Sequence, residues 1–261
     1  MLRGIGARLS TDAFSSAVHS TSTPSRPGSA LAAPGRAARR ATSGFDWLFA
    51  IAALGIVATY VRAIGFTPLE ATQGAAQKIY YIHVPSAWVA FLAFFVVAVT
   101  GLLWLWLRDD RLDRIAESSA EVGVVFTTVV LVTGPLWGRP VWGTWWTWDA
   151  RLTSTLFLWF IYLGYLVLRG AVEDRAMRAR YSAVLGALGA LLIPFIHLSV
   201  YLFRTLHPMP IVLKPEAPSL PPEMLTTFAV AVFAFLFFCV TLMRARYRLT
   251  LLRESSAGTA A

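Results

Sequence analysis

The hydrophobic pattern of this chain is one of long apolar runs separated by short charged clusters. Stretches without Asp, Glu, Lys or Arg cover 47–61, 86–107, 122–137, 152–168, 181–203 and 224–243. A helix that crosses the hydrocarbon core of a bilayer needs about 20 mostly apolar residues. The first run reaches that length by continuing past Arg62 to Phe66, with the arginine snorkelling to the interface. The third reaches it with Glu121 at the interface. The pattern therefore predicts an all-α, polytopic membrane protein with six transmembrane helices over residues 45–253. Residues 254–261 read as a disordered C-terminal tail.

Residues 1–44 have a different texture. They are rich in Ser, Ala, Gly, Pro and Arg, with Asp12 the only acid and no apolar run long enough to span. Such a segment cannot bury enough apolar surface to order itself. It reads as a disordered N-terminal tail. An Arg- and Ser-rich, acid-poor start also fits an organellar targeting segment.

Composition supports the membrane reading, since 57% of residues are hydrophobic and only 14% charged, where soluble domains carry about 25%. The net charge of +9 does not point to nucleic acid, because the basic residues sit at the ends of apolar runs. With six spans both termini share one side, and that side holds 17 of the 23 Lys and Arg residues. The positive-inside rule places both termini in the cytoplasm. The short connections 108–120 and 169–180 then face the cytoplasm as simple charged linkers. Segments 63–85, 138–151 and 204–223 face outward. No P-loop is present, and no cytoplasmic segment resembles a nucleotide site. The single cysteine, Cys239, excludes a disulfide framework, a CxxC redox pair and a covalent CxxCH haem site.

The unusual residues gather on the outer side. Trp137, Trp142, Trp145, Trp146 and Trp148 are five of the chain's ten tryptophans. An interfacial aromatic belt needs one or two per helix end. Five together, with Gly138, Pro140 and Gly143 shaping a turn, favour a platform for a planar hydrophobic ligand, since indole offers a rigid apolar face with one N–H donor. Asp149 stands where an N-cap of the fourth helix would be. Arg151 could pair with a ligand carboxylate, with Asp149 or with lipid phosphate. His83, before the second run, and His207, after the fifth, bracket this loop. Two such imidazoles suit the axial positions of a haem iron, although each alone also reads as an interfacial residue bonding a carbonyl. His197 lies within the fifth run, where a neutral histidine bonded across helices is the simplest reading. A zinc site lacks the three or four close ligands it needs, and no outer serine or cysteine has a base beside it.

The string Trp137-Gly-Arg-Pro-Val-Trp-Gly-Thr-Trp-Trp-Thr-Trp-Asp-Ala-Arg-Leu-Thr-Ser154 resembles the signature of the tryptophan-rich (WWD) haem-handling superfamily of cytochrome c biogenesis. Length, six spans and the contexts Tyr81-Ile-His-Val-Pro and Thr205-Leu-His are similar to the cytochrome c maturation protein C (haem exporter protein C) family within it. The resemblance covers about residues 45–253. It implies haem b held non-covalently at the outer leaflet by axial His83 and His207. The platform would be formed by Trp137, Trp142, Trp145, Trp146, Trp148 and Asp149, with Arg151 or Arg139 toward the propionates. It implies presentation of that haem to the periplasmic haem chaperone, cytochrome c maturation protein E. It also implies association with an ABC-type ATPase, further membrane subunits and a small single-span partner. The expected place is the bacterial inner membrane, with the mitochondrial inner membrane as the alternative. On this reading the chain is not an enzyme. A transporter moving haem or another substrate through the bilayer is the rival reading, and it would call for charged groups within several spans. A cytochrome c haem lyase is a third, and such proteins are usually longer, with more histidines.

Overall fold

The computed structural model describes residues 46–258, so the expected N-terminal tail lies outside the described residues. Seven α-helices follow in order: α1 (Trp47–Gly65), α2 (Tyr80–Leu107), α3 (Asp110–Trp142), α4 (Ala150–Ala171), α5 (Arg175–Ala190), α6 (Leu192–Leu202) and α7 (Pro222–Gly258). A short 3₁₀ turn, Ala75–Ile79, leads into α2. No β-strand forms among the described residues; one isolated bridge pairs Glu70 with Gly74. Six helical units are long and apolar enough to cross a membrane, as the hydropathy pattern predicts. The fifth of them is built from α5 and α6. Pro194, in the first turn of α6, has no N–H for the carbonyl of Ala190, and its ring would crowd that oxygen. The helical ladder is therefore interrupted at Leu191.

Aspartates start four of the helices. The carboxylate of Asp46 accepts the N–H groups of Leu48 and Phe49, Asp109 that of Arg111, Asp149 that of Leu152 and Asp174 that of Met177. Helices α2 and α3 are joined only by Arg108 and Asp109, with Arg108 left-handed at φ 56°.

Beyond these two residues, segment 108–120 is thus not the linker expected from its charge. It forms the first turns of α3, and long-range pairing explains why. Asp113, Glu117 and Glu121 fall four residues apart on one face. Arg169 of α4 donates to both Asp113 carboxylate oxygens at 2.6 and 2.9 Å and to Glu117 at 3.2 Å. Arg246 of α7 donates to Glu121 through Nη2 at 2.5 Å. Helix α7 likewise continues to Gly258, so the segment expected to be a tail from residue 254 begins as helix. Arg62 does not merely snorkel: its Nε donates to Thr227 Oγ1 of α7 at 3.1 Å.

One core joins α2, α3, α4 and α6 through Phe94, Val97, Ala120, Leu158, Tyr162, Tyr165 and Ile196. Phe94 stacks on Tyr162 with ring centroids 3.7 Å apart. That stacking requires Gly123 on α3, because a Cβ there would come within 2.4 Å of the Phe94 ring. A second core of Ala63, Tyr80, Tyr81, Trp137, Phe228 and Ala231 ties α1, α2, α3 and α7 together at the end that carries loops 66–74, 143–149 and 203–221. That end holds the candidate site.

Candidate functional site

Loops 66–74, 143–149 and 203–221 and the helix ends beneath them enclose a cavity of about 1090 Å³ with mostly apolar walls. Ligand pockets commonly fall in the range of roughly 300–1,000 Å³, so this one has room for a large flat molecule. Of the residues that the sequence singles out, His83, Trp137, Trp142, Trp145, Trp146, Arg151 and His207 all line it.

Where they sit differs in part from the sequence reading. The tryptophans do not share one loop. Trp137 and Trp142 belong to the last turns of α3, which continues through Pro135 and Pro140 and ends only at Gly143. Gly143 adopts φ 77°, its N–H bonding the Arg139 carbonyl at 3.0 Å, a left-handed helix stop that glycine takes without steric cost. Arg139 in turn donates from its side chain to the Gly143 carbonyl, and it does not line the cavity. Trp137 is buried and donates its indole N–H to Gln73 Oε1 at 2.9 Å, which ties loop 66–74 to α3. Trp145 and Trp146 come from the loop itself. Trp148 lies edge-on to Trp146, is 76% exposed and is not among the lining residues.

His83 occupies the first turns of α2 rather than a surface segment, and it is buried. Its Nδ1 lies 2.9 Å from Thr133 Oγ1 of α3 and its ring meets Trp137 edge-on at 5.8 Å. His207 approaches from the loop between α6 and α7 and is half-buried. Its Nδ1 donates to the Pro208 carbonyl at 2.9 Å, because a carbonyl can only accept. That bond leaves the lone pair on Nε2, the form in which imidazole ligates a metal. Burial, then the Arg151 guanidinium, push the His207 imidazole down to about 4 from its ordinary value of 6.5; its bond to Pro208 and the Asp149 carboxylate act in the opposite direction. His207 is therefore neutral at pH 7.

Asp149 does not line the cavity; it braces it. One carboxylate oxygen caps α4 at the Leu152 N–H, 2.9 Å away. The other accepts from Thr147 at 3.0 Å and from Thr205 at 2.8 Å. Thr205 Oγ1 also accepts the His207 backbone N–H at 3.1 Å. The aspartate of the tryptophan loop and the second histidine are thus joined through one hydroxyl.

Two residues of the cavity wall, Arg151 and Trp146, carry donors that are not fully matched within the protein. Arg151 donates to the Ile196 carbonyl at 3.1 Å and has no carboxylate within ion-pairing distance among the described residues. The buried Trp146 N–H has no hydrogen-bond partner among them. His197 differs from its expected role. It makes no hydrogen bond across helices among the described residues and stands half-buried in the cavity wall on α6. No cluster of three or more His, Cys, Asp or Glu able to hold a metal ion occurs among the described residues.

Thr133, Thr205 and Gln73 were not picked out from the sequence as site residues. A single threonine in an apolar run looks like any other helix residue, since its hydroxyl can bond the carbonyl one turn back. Only the packing of α2 on α3 shows what Thr133 faces.

A family model described as Heme exporter protein C matches residues 28–260, a wider span than the sequence motifs alone cover. The chain is 39% identical to Heme exporter protein C of Haemophilus influenzae over 75% of this chain and 80% of that one. It is 39% identical to that of Bradyrhizobium diazoefficiens over 86% and 85%, and 36% identical to that of Escherichia coli over 80% and 84%.

Proposed function

The chain belongs to the Heme exporter protein C family, and from that premise we propose that it holds haem b non-covalently at its outer end and hands it to a periplasmic haem chaperone for cytochrome c maturation. The observation that carries this reading is the meeting of His83 and His207, from separate elements, at one large apolar cavity. A haem fits what the residues offer. Two neutral imidazoles supply axial nitrogens, the indoles of Trp142, Trp145 and Trp146 supply flat apolar walls, and Arg151 supplies donors for a carboxylate.

Haem is the cargo here. The chain's own residues bind it, keep water from its faces and orient it, which is the work of a holder and presenter. Delivery requires at least one axial bond to open, and an exposed Trp148 beside Trp146 offers the chaperone an apolar contact at the rim. The excess of basic residues at the other end supports, by the positive-inside rule, a cytoplasmic side there, and we read the chain as a protein of the bacterial inner membrane with both termini on that side. There the ATPase, membrane and single-span partners implied by the sequence resemblance would contact it.

Covalent haem on the chaperone, measured in membranes that contain both proteins, tests the delivery step. Replacing Trp145 and Trp146 together by alanine is expected to lower chaperone loading at least about tenfold. Loading at the wild-type level would remove the platform from the account.

A further inference from the structure

His83 and His207 are both hydrogen-bonded at Nδ1, but only for His207 does the partner settle the tautomer. The partner of His83 is a hydroxyl, which can donate or accept. The surroundings of Thr133 decide. Its Oγ1 lies 2.7 Å from the carbonyl of Val129, one turn back on α3, and 3.5 Å from that of Val130. A hydroxyl has one proton. Turned toward His83, it would leave two oxygens 2.7 Å apart with no hydrogen between them. Given to Val129, it leaves a lone pair facing His83, and Nδ1 must carry the proton that fills the 2.9 Å gap. The neighbouring Gly134 makes the approach possible, since a Cβ there would sit 3.3 Å from His83 Cε1.

Building on the haem-holding reading above, we propose that Thr133 is a positioning residue for iron ligation by His83. It fixes the Nδ1–H tautomer, so that Nε2 holds the lone pair for iron, and it raises the donor strength of the ring by accepting its proton-bearing nitrogen's hydrogen bond. Ligating histidines generally need such a partner at the other ring nitrogen, and its loss costs about 10–100-fold in metal affinity. Thr133 belongs to α3, which also carries Trp137 and Trp142, so one helix sets both an axial ligand and part of the platform.

The test uses the full-length protein in detergent, with T133V, T133S and H83A. Haem-free protein labelled with nitrogen-15 histidine is expected to show His83 as the Nδ1–H tautomer in wild type and T133S, and a mixture in T133V. On loading with haem, T133V is expected to lose about tenfold in affinity and to shift its ferric/ferrous midpoint potential upward. The shift follows because a weaker imidazole donor stabilises ferric iron less. T133S keeps both properties, which a purely steric role for threonine would not predict. If T133V matches wild type in tautomer, affinity and potential while H83A loses haem, the role given to Thr133 is wrong and axial ligation by His83 stands. If H83A keeps the wild-type haem spectrum, His83 is not a ligand and both readings fall.

Discussion

At the scale of single residues, the site is organised less by the groups that face the cavity than by those that hold them. Asp149 was legible as a helix cap, yet its second oxygen reaches Thr205 and, through that hydroxyl, the backbone of His207. A T205V variant keeps the shape of the side chain and removes this link. It is expected to weaken haem binding about tenfold in a titration of the purified protein, with melting temperature little changed. Unaltered affinity would show that the loop holds His207 without Thr205. The pH behaviour of His207 follows from its lowered pKa. In the native protein the ring stays neutral until pH falls to about 4, whereas in the unfolded chain it takes up a proton near 6.5. Its effect on stability is therefore absent above about 6.5 and grows unfavourable as pH falls from there toward 4. Nuclear magnetic resonance titration of the haem-free protein should give a His207 midpoint well below 6. A midpoint near 6.5 would mean that the ring is solvated.

At the scale of elements, the six spans were legible because a bilayer demands about 20 apolar residues per helix and that demand is written directly into the composition of each run. The ends were not. Residues 108–120 look like a charged linker in sequence because Asp113 and Glu117 find their partner in Arg169, 56 and 52 positions away. The tryptophans of the signature string look like one loop because Gly138 and Pro140 signal a turn, yet α3 carries Trp137 and Trp142 to its stop at Gly143. The buried Asp113–Arg169 pair should be costly to halve. D113A leaves a buried guanidinium without its bidentate partner and is expected to cost about 3–5 kcal/mol, seen as a lower melting temperature. A loss under about 1 kcal/mol would indicate that Glu117 takes over. G123A probes helix contact rather than charge. The added Cβ meets a Phe94 ring that is pinned by Tyr162, and a loss of about 1–3 kcal/mol is expected, relieved by F94L in the double variant. No relief would place the strain elsewhere.

At the scale of the whole molecule, the protein divides its tasks by end. One end gathers buried and half-buried ion pairs between α3, α4 and α7. The other gathers tryptophans, histidines and a cavity of about 1090 Å³. Both histidines assigned to iron were visible in the sequence as rare residues beside an unusual aromatic string, and both line the cavity. The part of His197 was not visible, because whether a histidine in an apolar run turns to a neighbouring helix or to a cavity depends on the break before Pro194 and on how α6 then packs. The central claim is that His83 and His207 hold haem iron. Its most direct measurement is the oxidised and reduced spectrum of protein purified from haem-replete cells, with pyridine haemochrome quantification, for wild type, H83A, H207A and H197A. The account predicts a b-type, bis-histidine spectrum that weakens with either of the first two substitutions and persists in H197A. A colourless wild-type protein, or haem content that ignores His83 and His207, would contradict it.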